Sequence, residues 1–153
     1  MLFGDPSNAP YPEKLSEMNE RFVDTNVFLR FLTNDDPTKA KRAAALFKDA
    51  VVGKVVLRTS LLVVAEIVWT LESFYELEKK DISEKVSMIL NTPNLVCPEA
   101  RLIRLALDHY VHQNMDFIDA YHAHYLRDEG LNEIATYDRK HFGRVDWLKI
   151  LEP

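Results

Sequence analysis

The chain has 153 residues, 47% of them hydrophobic, with one cysteine and a formal net charge of −5. That length can bury a core in a single domain, and no run approaches the roughly 18 apolar residues of a membrane span. One thiol excludes an internal disulfide and any Cys-rich zinc site. The acidic balance excludes a nonspecific nucleic-acid coat protein while leaving room for a nucleic-acid enzyme with a locally basic rim.

Residues 1–20, "MLFGDPSNAPYPEKLSEMNE", hold three of the seven prolines and lack the basic start and apolar middle of a secretory signal. They read as a poorly ordered appendage ahead of one domain over 21–153, with Met18 a natural first residue and the cytoplasm the expected compartment. "RFVDTNVFLRFL", residues 21–32, begins as a strand, steps through Asp24-Thr25-Asn26 and continues as an apolar helix. Asp24 has two readings at this point. It caps the helix, because carboxylates accept from first-turn amides, or it belongs to a ligand site, because open parallel sheets place theirs beyond the carboxyl ends of strands.

Asp36-Pro37 announces a helix through "TKAKRAAALFKDAVV", stopped by Gly53. "KVVLRTS" is a strand, and "LLVVAEIVWTLESFYELEKK" is one long helix. "DISEKVSMILN" opens with Asp81 and Glu84 in capping-box spacing. "NLVC" is a strand with Cys97 as a small apolar residue at its end. "PEARLIRLALDHYVHQ" and "DFIDAYHAHYLRDEG" are helices, the second closing on Gly130. "NEIATYD" is a strand finishing on Asp138, and "DWLKILEP" supplies the last one. Strands alternating with helices point to an α/β domain, a parallel sheet covered on both faces.

Four carboxylates stand out. Glu66 lies among apolar neighbours, on one helix face with Leu62, Val63, Trp69 and Thr70, which places it towards a core or a pocket edge. Unpaired burial of a charge costs several kcal/mol, so Glu66 requires a proton, a cation or a basic partner. Asp116 and Asp119 share one face at a helix start; Asp116 suits a cap, whereas capping explains Asp119 less well. Asp138 finishes its strand as Asp24 does, which puts both at one sheet edge. Asp24, Glu66, Asp119 and Asp138 together would carry about −4, and two carboxylates about 4 Å apart repel by roughly 4 kcal/mol at an effective dielectric near 20. A divalent cation relieves this, and oxygen ligation selects Mg²⁺ or Mn²⁺ over zinc. His122 and His124 fall on different helix faces and offer no ligand pattern. Such a site suits phosphoryl chemistry, with the metal polarising phosphate and acidifying a bound water.

With those acids in place, the sequence resembles the PIN-domain ribonucleases, and within them the VapC toxins of toxin–antitoxin pairs. "FVDTNVFLR", "VVAEIVWTL", "DFIDAYHAHYL" and "IATYDRKHF" resemble the family's four motifs in order, over residues 21 to about 152. The resemblance implies a three-layer α/β/α fold around a central parallel sheet and Mg²⁺- or Mn²⁺-dependent hydrolysis of single-stranded or loop RNA. It implies Asp24, Glu66, Asp119 and Asp138 as the catalytic, metal-binding tetrad, with Thr25 and Asn26 shaping the site, Thr136 nearby and Asp116 an auxiliary ligand or a cap. It further implies a homodimer and a cognate antitoxin protein. "AYHAHYLR" departs from the family in being more polar and aromatic after the third acid.

Arg30, Arg139, Lys140 and His141 flank the first and fourth motifs, as RNA-phosphate contacts or as ordinary surface charge. Exposed members of the early apolar helices would suit a dimer contact or an antitoxin segment. Two rivals are a haloacid-dehalogenase-type phosphatase, which needs a second Asp where this chain has Asn26, and a PIN-like module that binds RNA or protein without cutting.

Overall fold

The computed structural model describes residues 19–153. The expected appendage lies outside them except at its end. Glu20 opens the first strand and forms an ion pair with Arg58, so the domain begins one residue earlier than the sequence indicates. The guanidinium holds the Glu20 carboxyl below its ordinary range.

Three strands, β1 (Glu20–Phe22), β2 (Val56–Arg58) and β3 (Leu95–Val96), form a parallel sheet in the order β1-β2-β3. Phe22 stands opposite Arg58, and Arg58 opposite Val96. Backbone bonds extend the alignment past the strand ends, from the Val23 amide to the Arg58 carbonyl at 2.8 Å and from the Thr59 amide to the Val96 carbonyl at 3.0 Å. Leu57, at the centre, is fully buried, as befits the middle strand of a sheet covered on both faces. The remaining strands, β4 (Glu133–Ala135) and β5 (Lys149–Leu151), pair in parallel with each other as a separate two-stranded sheet. The expected single sheet is therefore divided, although every pairing is parallel.

Among the described residues seven helices connect the strands: α1 (Thr25–Thr33), α2 (Pro37–Val51), α3 (Leu61–Ser73), α4 (Lys79–Leu90), α5 (Ala100–His112), α6 (Phe117–Asp128) and the one-turn α7 (Arg139–Phe142). The long helix expected over 61–80 is two. α3 stops at Ser73, Glu76 adopts a left-handed backbone (φ 53°), and α4 restarts at Lys79. The break lets Tyr75 and Leu77 turn onto the core. It also moves the start of α4 ahead of Asp81, which sits in the first turn rather than capping it.

The core-facing stripe of α3 is Val63, Val64, Ile67, Val68 and Leu71. It packs with Phe28 of α1, Ile82 of α4 and Ile103, Leu107 and Tyr110 of α5. Tyr110 is fully buried with its hydroxyl donating to Glu72 Oε2 at 2.8 Å, so its one polar atom is satisfied. Cys97 is buried just beyond β3, as a small apolar residue would be. Among the described residues no helix is long and apolar enough to cross a membrane.

Candidate active site

The parallel register sets the first half of the site. β1 and β2 end side by side, so α1 and α3 start from the same sheet edge, capped by Asp24 and Ser60. Asp24 lies two residues beyond β1 rather than at its end. Its Oδ1 accepts the Thr25 amide at 2.8 Å, leaving Oδ2 for another partner. The capping and ligand readings of this residue are thus compatible, one oxygen for each.

Glu66 differs from expectation. Its face of α3 is exposed, with Leu62 78% and Trp69 69% accessible, because the inward stripe runs through Val63, Ile67 and Val68 instead. Among the described residues Glu66 meets no basic side chain. Its Oε2 accepts the Thr25 hydroxyl at 2.5 Å. Thr25 is buried at 8% exposure and follows Asp24 directly, so one hydroxyl ties the α3 acid to the start of α1. A charge-assisted O–H···O⁻ bond of this length fixes geometry well.

The second half gathers on α6 and α7. Asp116 caps α6, its Oδ1 accepting from the amides of Ile118 (2.9 Å) and Asp119 (3.2 Å). Asp138, three residues past β4, caps α7: its Oδ1 accepts the His141 amide at 3.0 Å, and its own amide donates to Thr136 Oγ1 at 3.0 Å. A Cβ at Gly143 would stand 2.4 Å from the Arg139 carbonyl, so glycine lets the chain leave this short turn. The outcome is a cluster: His141 Nδ1 lies 3.1 Å from Asp119 Oδ2 and 3.0 Å from Asp138 Oδ2. Asp119, Asp138 and His141 each offer a ligand atom, all within 4.8 Å of one another and all half-buried.

Their electrostatics differ. Burial pushes the Asp119 carboxyl up, and the Asp116 and Asp138 charges add to that while His141 opposes it. Asp138 is held below the ordinary carboxylate range by its bonds to the backbone and side chain of His141. The four acids are therefore brought together in pairs, Asp24 with Glu66 through Thr25 and Asp119 with Asp138 through His141. Among the described residues, Asp24 and Glu66 fall outside the 4.8 Å group.

His141 is the member that the sequence left outside the acid cluster, as an RNA-phosphate contact or as ordinary surface charge, and the structure sets it beside Asp119 and Asp138. The available signal was its spacing, three residues after a carboxylate that starts a helix. Two other expected phosphate contacts are engaged by acids: Arg30 bonds both oxygens of Asp35 at 2.8 Å, and Arg139 reaches Glu152 at 2.5 Å. Lys140 is exposed.

Two carboxylates and an imidazole with converging donor atoms suit a hard or borderline divalent cation, and Asp119's raised carboxyl marks local negative charge that such an ion would relieve. The cluster contains no thiolate, the ligand a structural zinc site would favour.

Comparison with curated proteins gives no match. Among solved structures, the chain is similar to VapC20 of Mycobacterium tuberculosis, described as a sarcin–ricin loop cleaving toxin. Identity is 18%, covering 80% of this chain and 92% of that one, with a TM-score of 0.37. It is also similar to VapBC2 from Rickettsia felis bound to a DNA fragment from the promoter, at 16% identity over 86% of this chain and 97% of that one, with a TM-score of 0.36. The family model described as the PIN domain matches residues 21–148, which takes in both acid pairs and every element from α1 to α7. The chain belongs to the PIN domain family.

Proposed function

We propose that this protein is a Mg²⁺- or Mn²⁺-dependent endoribonuclease and the toxin of a toxin–antitoxin pair, with Asp24, Glu66, Asp119 and Asp138 as its catalytic acids. The observation that carries the reading is the convergence of Asp119 and Asp138, from separate elements, on one point within 4.8 Å, in a chain whose PIN-domain match spans both. A divalent ion held by Asp119 and Asp138 would polarise a phosphodiester and lower the pKa of a bound water.

The chain's own residues supply the rest. Asp24 Oδ1 caps α1, and its Oδ2 would be the oxygen that accepts a proton from an attacking water. Thr25 holds Glu66 in one orientation, so that its second oxygen is pre-positioned. Thr136 fixes the turn that presents Asp138. Arg30 and Arg139 stand in ion pairs, and Lys140 forms none among the described residues, which suits it to phosphate contact.

Two surfaces support the protein partners. A cleft of about 390 Å³ between α1 and α2 is lined by Val27, Ala43 and Leu46 together with Arg42 and the ion-paired Arg30 and Lys39, which suits an amphipathic segment of an antitoxin. The outer face of α3 exposes Leu62 and Trp69, with Phe74 just beyond, an apolar surface suited to a second copy of the chain.

The test is cleavage of a mixed RNA pool with and without Mg²⁺, wild type beside Asp24→Asn. Metal-dependent cutting by the wild type and none by the variant is expected. Equal cleavage by both would remove the nuclease assignment for this site.

A further inference from the structure

We propose that His141 is itself a metal ligand, and that through it the centre takes a manganese-class ion in preference to magnesium. The inference rests on the nuclease reading and names the ion that this site selects.

Spacing comes first. His141 Nδ1 stands 3.1 Å from Asp119 Oδ2 and 3.0 Å from Asp138 Oδ2. Two donors at neighbouring corners of an octahedron with bonds of about 2.1 Å are about 3.0 Å apart. The nitrogen therefore already stands at the spacing of an adjacent ligand from each oxygen, and the two oxygens lie within 4.8 Å of each other. An Nδ1 carrying hydrogen shares it with the two carboxylates; without that hydrogen, the same atom directs its lone pair to the same point.

The imidazole is also held in place. Asp138 Oδ1 accepts the His141 amide, so the residue enters α7 in a fixed register, and its side chain is only 24% exposed. Ligation would then order little that is not ordered already. Donor chemistry decides the preference: Mg²⁺ takes oxygen ligands and water, whereas an imidazole nitrogen raises affinity for divalent transition ions, Mn²⁺ the first of the series, relative to Mg²⁺. All-acid ligation discriminates weakly between Mg²⁺ and Mn²⁺. One nitrogen in the set shifts it towards manganese.

The full chain loaded with Mn²⁺ and measured by pulsed electron paramagnetic resonance gives the direct reading, because a bound imidazole imposes a ¹⁴N coupling on the metal. Calorimetric titration with Mn²⁺ and with Mg²⁺ accompanies it, on wild type, His141→Gln and His141→Phe, with circular dichroism to establish folding. The wild type is expected to show the bonded-nitrogen coupling and both variants to lose it. Mn²⁺ affinity should fall about tenfold or more and Mg²⁺ affinity less than about threefold.

A wild-type spectrum with no bonded nitrogen overturns the inference. So does undiminished Mn²⁺ affinity in His141→Gln, whose amide can still donate to the carboxylates, or an equal loss for both ions. Metal binding and RNA cleavage without the nitrogen coupling would remove only this inference. Neither metal binding nor cleavage would remove the nuclease reading with it.

Discussion

Asp119→Asn perturbs stability and metal response in opposite directions, and the structure sets the size of both. The ligand oxygens of Asp119 and Asp138 lie no more than 4.8 Å apart. At that distance two carboxylates repel by about 3.5 kcal/mol at an effective dielectric of 20 and about 0.9 kcal/mol in water. The two side chains are 24% and 38% exposed, which places the strain between those limits, at about 1–2 kcal/mol. Asp119's raised carboxyl gives the same sign, since a folded state that favours the protonated form is weakened as pH rises through that value.

Urea unfolding at pH 8 in chelator should therefore show Asp119→Asn more stable than wild type by about 1–2 kcal/mol. That corresponds to about 2–8 °C in Tm for a chain of this size. With Mg²⁺ or Mn²⁺ at 100 times its Kd, the wild type should gain about 2.7 kcal/mol and the variant far less. A variant no more stable than wild type in chelator, yet equally stabilised by metal, would refute the account of Asp119 as a repelled ligand.

Thr25→Val removes the hydroxyl that donates to Glu66 and should lower stability by about 1 kcal/mol, less than the full value of a charge-assisted bond because Glu66 is exposed. RNA cleavage should fall well beyond what the lost folded fraction explains, with Thr25→Ser restoring it. Ile67→Ala empties a fully buried position in the α3 stripe and should cost about 2–5 kcal/mol in chemical denaturation, without changing metal affinity in the folded protein. Acid should weaken the packing of α5 on α6. His124, 5% exposed, sits with Nε2 3.0 Å from His109 Nδ1, and burial, His109 and Arg127 hold its pKa below the ordinary imidazole value. The unfolded chain takes that proton first, so this contribution is present above about pH 6.5 and is lost as pH falls through the folded value. Urea midpoints at pH 7.5 and 5 should differ more for wild type than for His124→Gln.

The acids were legible in the sequence because each breaks a local pattern. Asp24 interrupts an apolar handover, Glu66 sits in an apolar helix, and Asp119 and Asp138 follow similar transitions. Helix periodicity could not tell which side of α3 faces inward, because apolar residues nearly surround it. Leu62 and Trp69 look like core in sequence and lie in the open in the fold. The split between α3 and α4 was equally hidden: "SFYELEKK" continues helical composition, and the break depends on where Tyr75 and Leu77 find core to pack against.

Composition and alternation, which are local, determined an α/β domain and the residues whose charge needs an explanation. Only the tertiary structure decided which acids meet. Strand register brings Thr25, the neighbour of Asp24, to Glu66, while the packing of α6 against α7 brings Asp119 to Asp138 and places His141 between them. Convergence of this kind depends on distances between elements far apart in the chain, and spacing along the sequence does not encode those distances.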